Sequence, residues 1–282
     1  MKIVFWLLKI IFYCIMFSLT SSFKYQLPTK TKLKNFNQQE IKVIEPVKTE
    51  PKETYSVIFL TGGNNIIIGD IYNNFLNTLA SFRFSINLIP PNFNKFEDLL
   101  KDLNKEYKGV VLLQHSSSTI LSVKISNLDK KVKKLVFLDP VDNRIFFKEY
   151  RKLNNKIDLP NANRVLFLKA HKAYKWSLKP IAVPFIPFLS LNPDSFNFTK
   201  KCKVTTIEAD NFGHTDLLDK TWSDFMHNSR VALGSDNRDS QVLLNYHKWL
   251  SKIIHYFCYG NTKKITNFLE NEELEYSIKN HQ

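Results

Sequence analysis

Ser116, Asp139 and His214 are the residue types that together activate a hydroxyl, and they stand in the order Ser, Asp, His along the chain. A free serine hydroxyl is a poor nucleophile at neutral pH. A histidine that takes its proton makes it a good one, a carboxylate orients the imidazole and stabilises it once charged, and backbone N–H groups receive the oxyanion. The order found here is one in which this chemistry recurs. The oxyanion donors would be the backbone N–H of Ser117 and one from Gly62, Gly63 or Asn64, where glycine lets a backbone approach a ligand closely. Losing one such donor typically costs about 100- to 1,000-fold in rate. Asp142 is a second carboxylate near Asp139.

Each residue has an ordinary reading as well. Ser116 to Ser118 after a strand make a helix N-cap, Asp139-Pro140 opens a turn, and a single loop histidine is more often inert than catalytic. What joins the three is position, since each follows a predicted strand. Val110-Val111-Leu112-Leu113 reads as a short buried strand that turns at Gln114-His115 into the serines, and an apolar helical segment follows. Lys134 to Leu138 ends at Asp139. Val204 to Ile207, read as the last strand, precedes the polar loop Glu208 to Asp219, which holds His214 after Gly213. Asp216 is either a partner of that loop or a cap for the next helix, and Asp219 is a further candidate partner.

These strands belong to a longer alternation. Ser56 to Leu60, Ser85 to Ile89 and Arg164 to Leu168 are apolar and strand-like. Ile71 to Phe82, Phe96 to Leu103 and Gln241 to Tyr256 carry apolar residues at helical spacing. Strands separated by helices of this length predict an α/β fold, a mostly parallel sheet with helices on both faces. Ligands then bind beyond the carboxyl ends of the strands. One such loop, Ala170 to Phe198, is rich in Trp176, Pro184, Phe185, Ile186, Pro187 and Phe188, and either caps a greasy pocket or is simply a packed apolar loop.

An apolar content of 44 % over 282 residues suffices for a large core, read as one domain over 55–260. The net charge is +14, but it comes mostly from scattered lysines, so nucleic acid is not expected as a partner. The sequence has no zinc-ligand spacing and no nucleotide loop, and no metal or cofactor is expected. Residues 1–22 read as a signal peptide or an uncleaved anchor, by which the chain would associate with a membrane. Residues 23–54 read as a polar flexible leader, and Phe23 after small residues resembles the two-part presequences of secondary plastids. Entry into the secretory pathway follows, with a secondary plastid, secretion or membrane anchoring as destinations. Residues 261–282 read as a polar tail. Cys202 and Cys258 either pair or stay free, because pairing depends on a distance the sequence does not contain. Asn197-Phe198-Thr199 is a glycosylation sequon in a secreted chain.

From about Tyr55 to Cys258 the chain resembles the chlorophyllases, which are α/β-hydrolases. Val57 to Gly63 looks like their strand and oxyanion loop, Gln114-His115-Ser116 like their Gly-His-Ser elbow, and Leu138 to Asp142 like their acid motif. Leu191 to Phe196 resembles the loop before the last strand. Phe212-Gly213-His214-Thr215-Asp216-Leu217-Leu218-Asp219 is similar to their Tyr-Gly-His-x-Asp-Met-Leu-Asp. The resemblance implies Ser116 as nucleophile and cleavage of the phytyl ester of chlorophyll, or of a similar lipophilic ester, through an acyl-enzyme. Gln114 and Ser118 replace the elbow glycines, and Thr61 stands where a histidine often precedes the oxyanion glycines. Those departures raise the alternative of a weak or inactive hydrolase-fold protein that binds a pigment, a lipid or a partner.

Overall fold

A computed structural model describes residues 27–36, 38–142, 156–174, 190–228, 234–260, 262–271 and 276–281. In chain order the strands are β1 (Thr29–Phe36), β2 (Gln39–Pro46), β3 (Tyr55–Leu60), β4 (Phe84–Leu88), β5 (Gly109–His115), β6 (Lys134–Leu138), β7 (Ile157–Leu159), β8 (Arg164–Ala170), β9 (Phe196–Phe198), β10 (Lys203–Ala209) and β11 (Tyr276–His281). Nine of them form one sheet in the order β1-β2-β4-β3-β5-β6-β8-β10-β11. The run from β4 to β10 is parallel, while β1, β2 and β11 pair antiparallel at the two edges. Strands β7 and β9 make a separate parallel pair. The chain is therefore α/β with a mostly parallel central sheet.

The central strands are apolar throughout because both of their faces are covered. Along β5, Val111 and Leu113 enter one core and Val110 and Leu112 the other. The first core is roofed by α2 (Asn73–Ser81), α6 (Ser240–Cys258) and α7 (Thr262–Glu270), and the second by α3 (Phe96–Glu106) and α4 (Thr119–Leu128). In α3 the buried residues are Phe96, Leu99, Leu100 and Leu103, which is the helical spacing read from the sequence. The short helix α1 (Gly62–Asn65) follows β3, and α5 (Lys220–Asn228) follows the histidine loop.

Two expectations are corrected. Much of 23–54, read as a flexible leader, forms β1 and β2, and Phe36, Ile41, Val43 and Ile44 are buried. Much of 261–282, read as a tail, forms α7 and β11, with Ile265, Phe268 and Leu269 buried, so β10 is not the last strand. Residues 1–22 and the apolar stretch Trp176 to Phe188 lie outside the described residues. Among the described residues no helix is long and apolar enough to cross a membrane. Cys202 and Cys258 are free thiols, and burial pushes them up to about 11 and about 12, which keeps them protonated and poor nucleophiles. Asn197 lies exposed on β9 and donates from Nδ2 to Asp158 Oδ1 at 2.8 Å.

Candidate active site

The site is built at the ends of adjacent parallel strands. His115 ends β5 opposite Leu138 of β6, and Leu138 lies opposite Leu168 of β8. Ser116 and Asp139, one residue further on in β5 and β6, thus leave neighbouring strands at the same height. Both do so in a conformation that L-residues rarely adopt, with φ of 58° at Ser116 and 42° at Asp139. Such a residue costs on the order of 1–3 kcal/mol and persists only where its surroundings hold it. At Ser116 they do: its carbonyl accepts from Val141 N at 3.0 Å and from Thr119 Oγ1 at 3.1 Å, and a 3-10 turn over Ser116–Ser118 leads into α4. A strained strand-to-helix turn of this kind is the geometry that a nucleophile elbow requires.

His214 Nε2 lies 3.0 Å from Ser116 Oγ. On the other side of the ring, His214 Nδ1 lies 3.7 Å from Asp139 Oδ2. The first distance is a hydrogen bond. The second is longer than one, and Nδ1 has no hydrogen-bond partner among the described residues. Bonds of this kind are often long before substrate binds and tighten afterwards. Asp139 is fixed from behind, since its Oδ1 accepts from Ala170 N at 2.6 Å. Asp142 is also buried, but the carboxylate that faces the imidazole is Asp139.

The histidine loop is organised around Asp216. Its Oδ2 accepts from Gly213 N at 2.8 Å and Ser235 N at 2.7 Å, and its backbone carbonyl accepts from His247 Nε2 at 2.9 Å. Phe212 stacks on Tyr246 with ring centroids 3.9 Å apart. Asp219 is instead a cap for α2, accepting from Asn74 N at 2.8 Å. Burial pushes the Asp216 carboxyl up to about 6, against the hydrogen bonds it receives. The folded chain therefore holds this proton more tightly than the unfolded chain, and its contribution to stability is lost as pH rises from about 4 through 6. The shift corresponds to about 3 kcal/mol. Asp216→Asn is expected to flatten that part of the stability-against-pH curve in urea titrations, and an unchanged slope would assign it elsewhere.

The oxyanion loop is only partly as expected. Gly63 has a φ of 62°, a position suited to glycine. Gly62 N–H, one of the candidate donors, is already given to Tyr72 Oη at 3.2 Å. Gly63 and Asn64, in α1, and Ser117, directly after the candidate nucleophile, are the other backbone positions named as candidates. Asn65, which the sequence did not single out, clamps the loop: its Oδ1 accepts from Thr61 N at 3.0 Å and its Nδ2 donates to Ile89 O at 3.2 Å. Ser118 Oγ donates to Thr61 O and ties the elbow to this loop, so the serine fits the place of a glycine.

Gln114 fits less well. It is fully buried, and neither end of its side-chain amide has a hydrogen-bond partner among the described residues. A buried polar group without a partner costs about 1–3 kcal/mol. Gln114→Met, similar in volume and without the amide, should raise the unfolding free energy from urea titrations by about that figure, and the midpoint with it. A fall in the midpoint would mean that the amide has a partner in solution.

The His115 ring stacks on that of His214 at 4.6 Å and 28°, and its Nδ1 lies 2.9 Å from Tyr72 Oη. His115, Asp139 and His214 offer ligand atoms within 4.8 Å of one another, a spacing that a metal ion can use. The two rings are stacked at 28° to one another, whereas a tetrahedral centre needs ligand lone pairs that converge on one point. One nitrogen of each ring also faces Tyr72 or Ser116. The donor set therefore suits proton transfer better than a metal ion. No protein-family model matches the chain, and no curated protein does.

Proposed function

We propose that the protein is a serine carboxylic-ester hydrolase of the α/β-hydrolase type. The observation that carries the reading is Ser116, held at a φ of 58° with its Oγ 3.0 Å from His214 Nε2. In this mechanism His214 takes the Ser116 proton as the hydroxyl attacks the ester carbonyl. The tetrahedral oxyanion points to the N–H groups of Ser117 and the Gly63 turn. His214 returns the proton to the leaving alcohol, then activates the water that hydrolyses the acyl-enzyme. Asp139 stabilises the imidazolium. The resemblance to chlorophyllases suggests a phytyl ester of the chlorophyll type, or another lipophilic ester, as substrate. Residues 1–22 keep their reading within the proposal: entry by signal peptide or anchor, with a plastid, the exterior or a membrane as destination.

A second reading, a hydrolase-fold protein that binds a pigment, lipid or partner without turnover, draws on two features. They are the 3.7 Å gap between His214 and Asp139 and the Gly62 N–H spent on Tyr72. A fluorophosphonate probe on the full-length chain separates the two. The hydrolase is labelled at Ser116, and a panel of phytyl, long-acyl and short-acyl esters then ranks substrates. A folded parent that stays unlabelled favours the binder.

A further inference from the structure

Tyr72 stands at the start of α2 with its hydroxyl fully buried. That hydroxyl has two neighbours within hydrogen-bond distance, Gly62 N at 3.2 Å and His115 Nδ1 at 2.9 Å. The amide can only donate, so the hydroxyl accepts from it. A buried hydroxyl must also place its own proton, and the neighbour left to receive it is His115 Nδ1. This direction sets the tautomer of His115: Nδ1 accepts and Nε2 carries the hydrogen. Nε2 is buried, with no hydrogen-bond partner among the described residues. Burial, and next to it the neighbouring His214, lower the His115 pKa well below the ordinary histidine value, so the ring is neutral beside its partner. The packing leaves little slack. A β-carbon on Gly62 would meet Tyr72 Oη at 3.3 Å and His115 Nδ1 at 3.5 Å.

We infer that Tyr72 and His115 are positioning residues of the proposed hydrolase, forming a hydrogen-bonded chain that fixes the oxyanion loop at one end and backs the His214 ring at the other. The inference rests on the serine-hydrolase reading. In it, Tyr72 holds the Gly62 turn, and the neutral face of His115 keeps the base in the plane from which Nε2 meets Ser116. Neither residue touches the reacting atoms. A displacement of about 1 Å in such an arrangement can cost about 100-fold in rate.

The test uses the full-length chain, Tyr72→Phe, His115→Asn and their combination, with thermal melts alongside. Imidazole nitrogen NMR reads the tautomer directly. The expected result is Nε2–H at His115 in the parent and a mixture of tautomers in Tyr72→Phe, which keeps the ring and its volume. Fluorophosphonate labelling should slow about 10- to 100-fold in each single variant. The double variant should fall short of the product of the two losses by at least fivefold, because both act through one chain. A space-filling role predicts no tautomer change and additive losses. Nδ1–H at His115 in the parent, or a Tyr72→Phe chain that labels within twofold of the parent with unchanged imidazole signals, would overturn the inference. If His115→Asn does not fold, Tyr72→Phe decides alone. A parent with the expected tautomer but no labelling overturns the hydrolase reading and the positioning role with it, and leaves the hydrogen-bonded chain as structure only.

Discussion

Ser116→Ala is expected to abolish fluorophosphonate labelling, and His214→Ala to lower the labelling rate by about 10,000-fold or more. The reason is the 3.0 Å contact between Ser116 Oγ and His214 Nε2, which makes one functional unit of the two side chains. Groups that act as a unit are not additive, so for ester turnover the Ser116→Ala/His214→Ala double variant is no worse than the poorer single variant. Asp139→Asn should cost less than His214→Ala, because the carboxylate stands 3.7 Å from Nδ1 in the free protein and contributes mainly once the imidazole is charged. Equal labelling of the parent and Ser116→Ala would remove the triad from consideration.

Deletion of residues 1–54 is expected to leave a chain that does not fold cooperatively. It removes β1 and β2 and with them the buried side chains of Phe36, Ile41, Val43 and Ile44. Burying a large aliphatic or aromatic side chain contributes about 1.5–3 kcal/mol, so the four together approach the whole stability of a typical domain, about 5–15 kcal/mol. The deletion also strips β4 of its antiparallel neighbour and exposes an apolar edge, which is a template for aggregation. A chain that begins at Leu27 is the comparison. Soluble yield and a melt followed by circular dichroism read the outcome, and a cooperative melt of the shorter chain near the parent's temperature would refute it.

The same residues show why part of the fold was legible in the sequence and part was not. Central strands such as β5 announce themselves because burial on both faces makes them continuously apolar. In β1, Lys30, Lys32 and Lys34 are exposed, and a solvated edge strand has the composition of a loop. In α7 the buried positions Ile265, Phe268 and Leu269 have helical spacing, but two lysines and a short length mask them. Ser116, Asp139 and His214 were legible because each follows a strand, and position at a strand end is a local property. Tyr72, Asn65 and Ser235 were not. Each reaches the site across the fold, through Tyr72 to His115, Asn65 to Ile89 and Ser235 to Asp216, and nothing in the neighbouring residues marks such a contact.

Strand β11 has a bearing on when the molecule becomes competent. It pairs along β10 from Val204↔His281 to Ala209↔Tyr276, and β10 is the strand that leads into the His214 loop. A growing polypeptide makes the Ser116 elbow long before residues 276–281 exist. Until they do, β10 has one neighbour, β8, and an open side. Pairing across so long a stretch of chain is slow compared with local helix formation. The candidate nucleophile turn is thus synthesised well before the strand that completes the sheet beside the His214 loop.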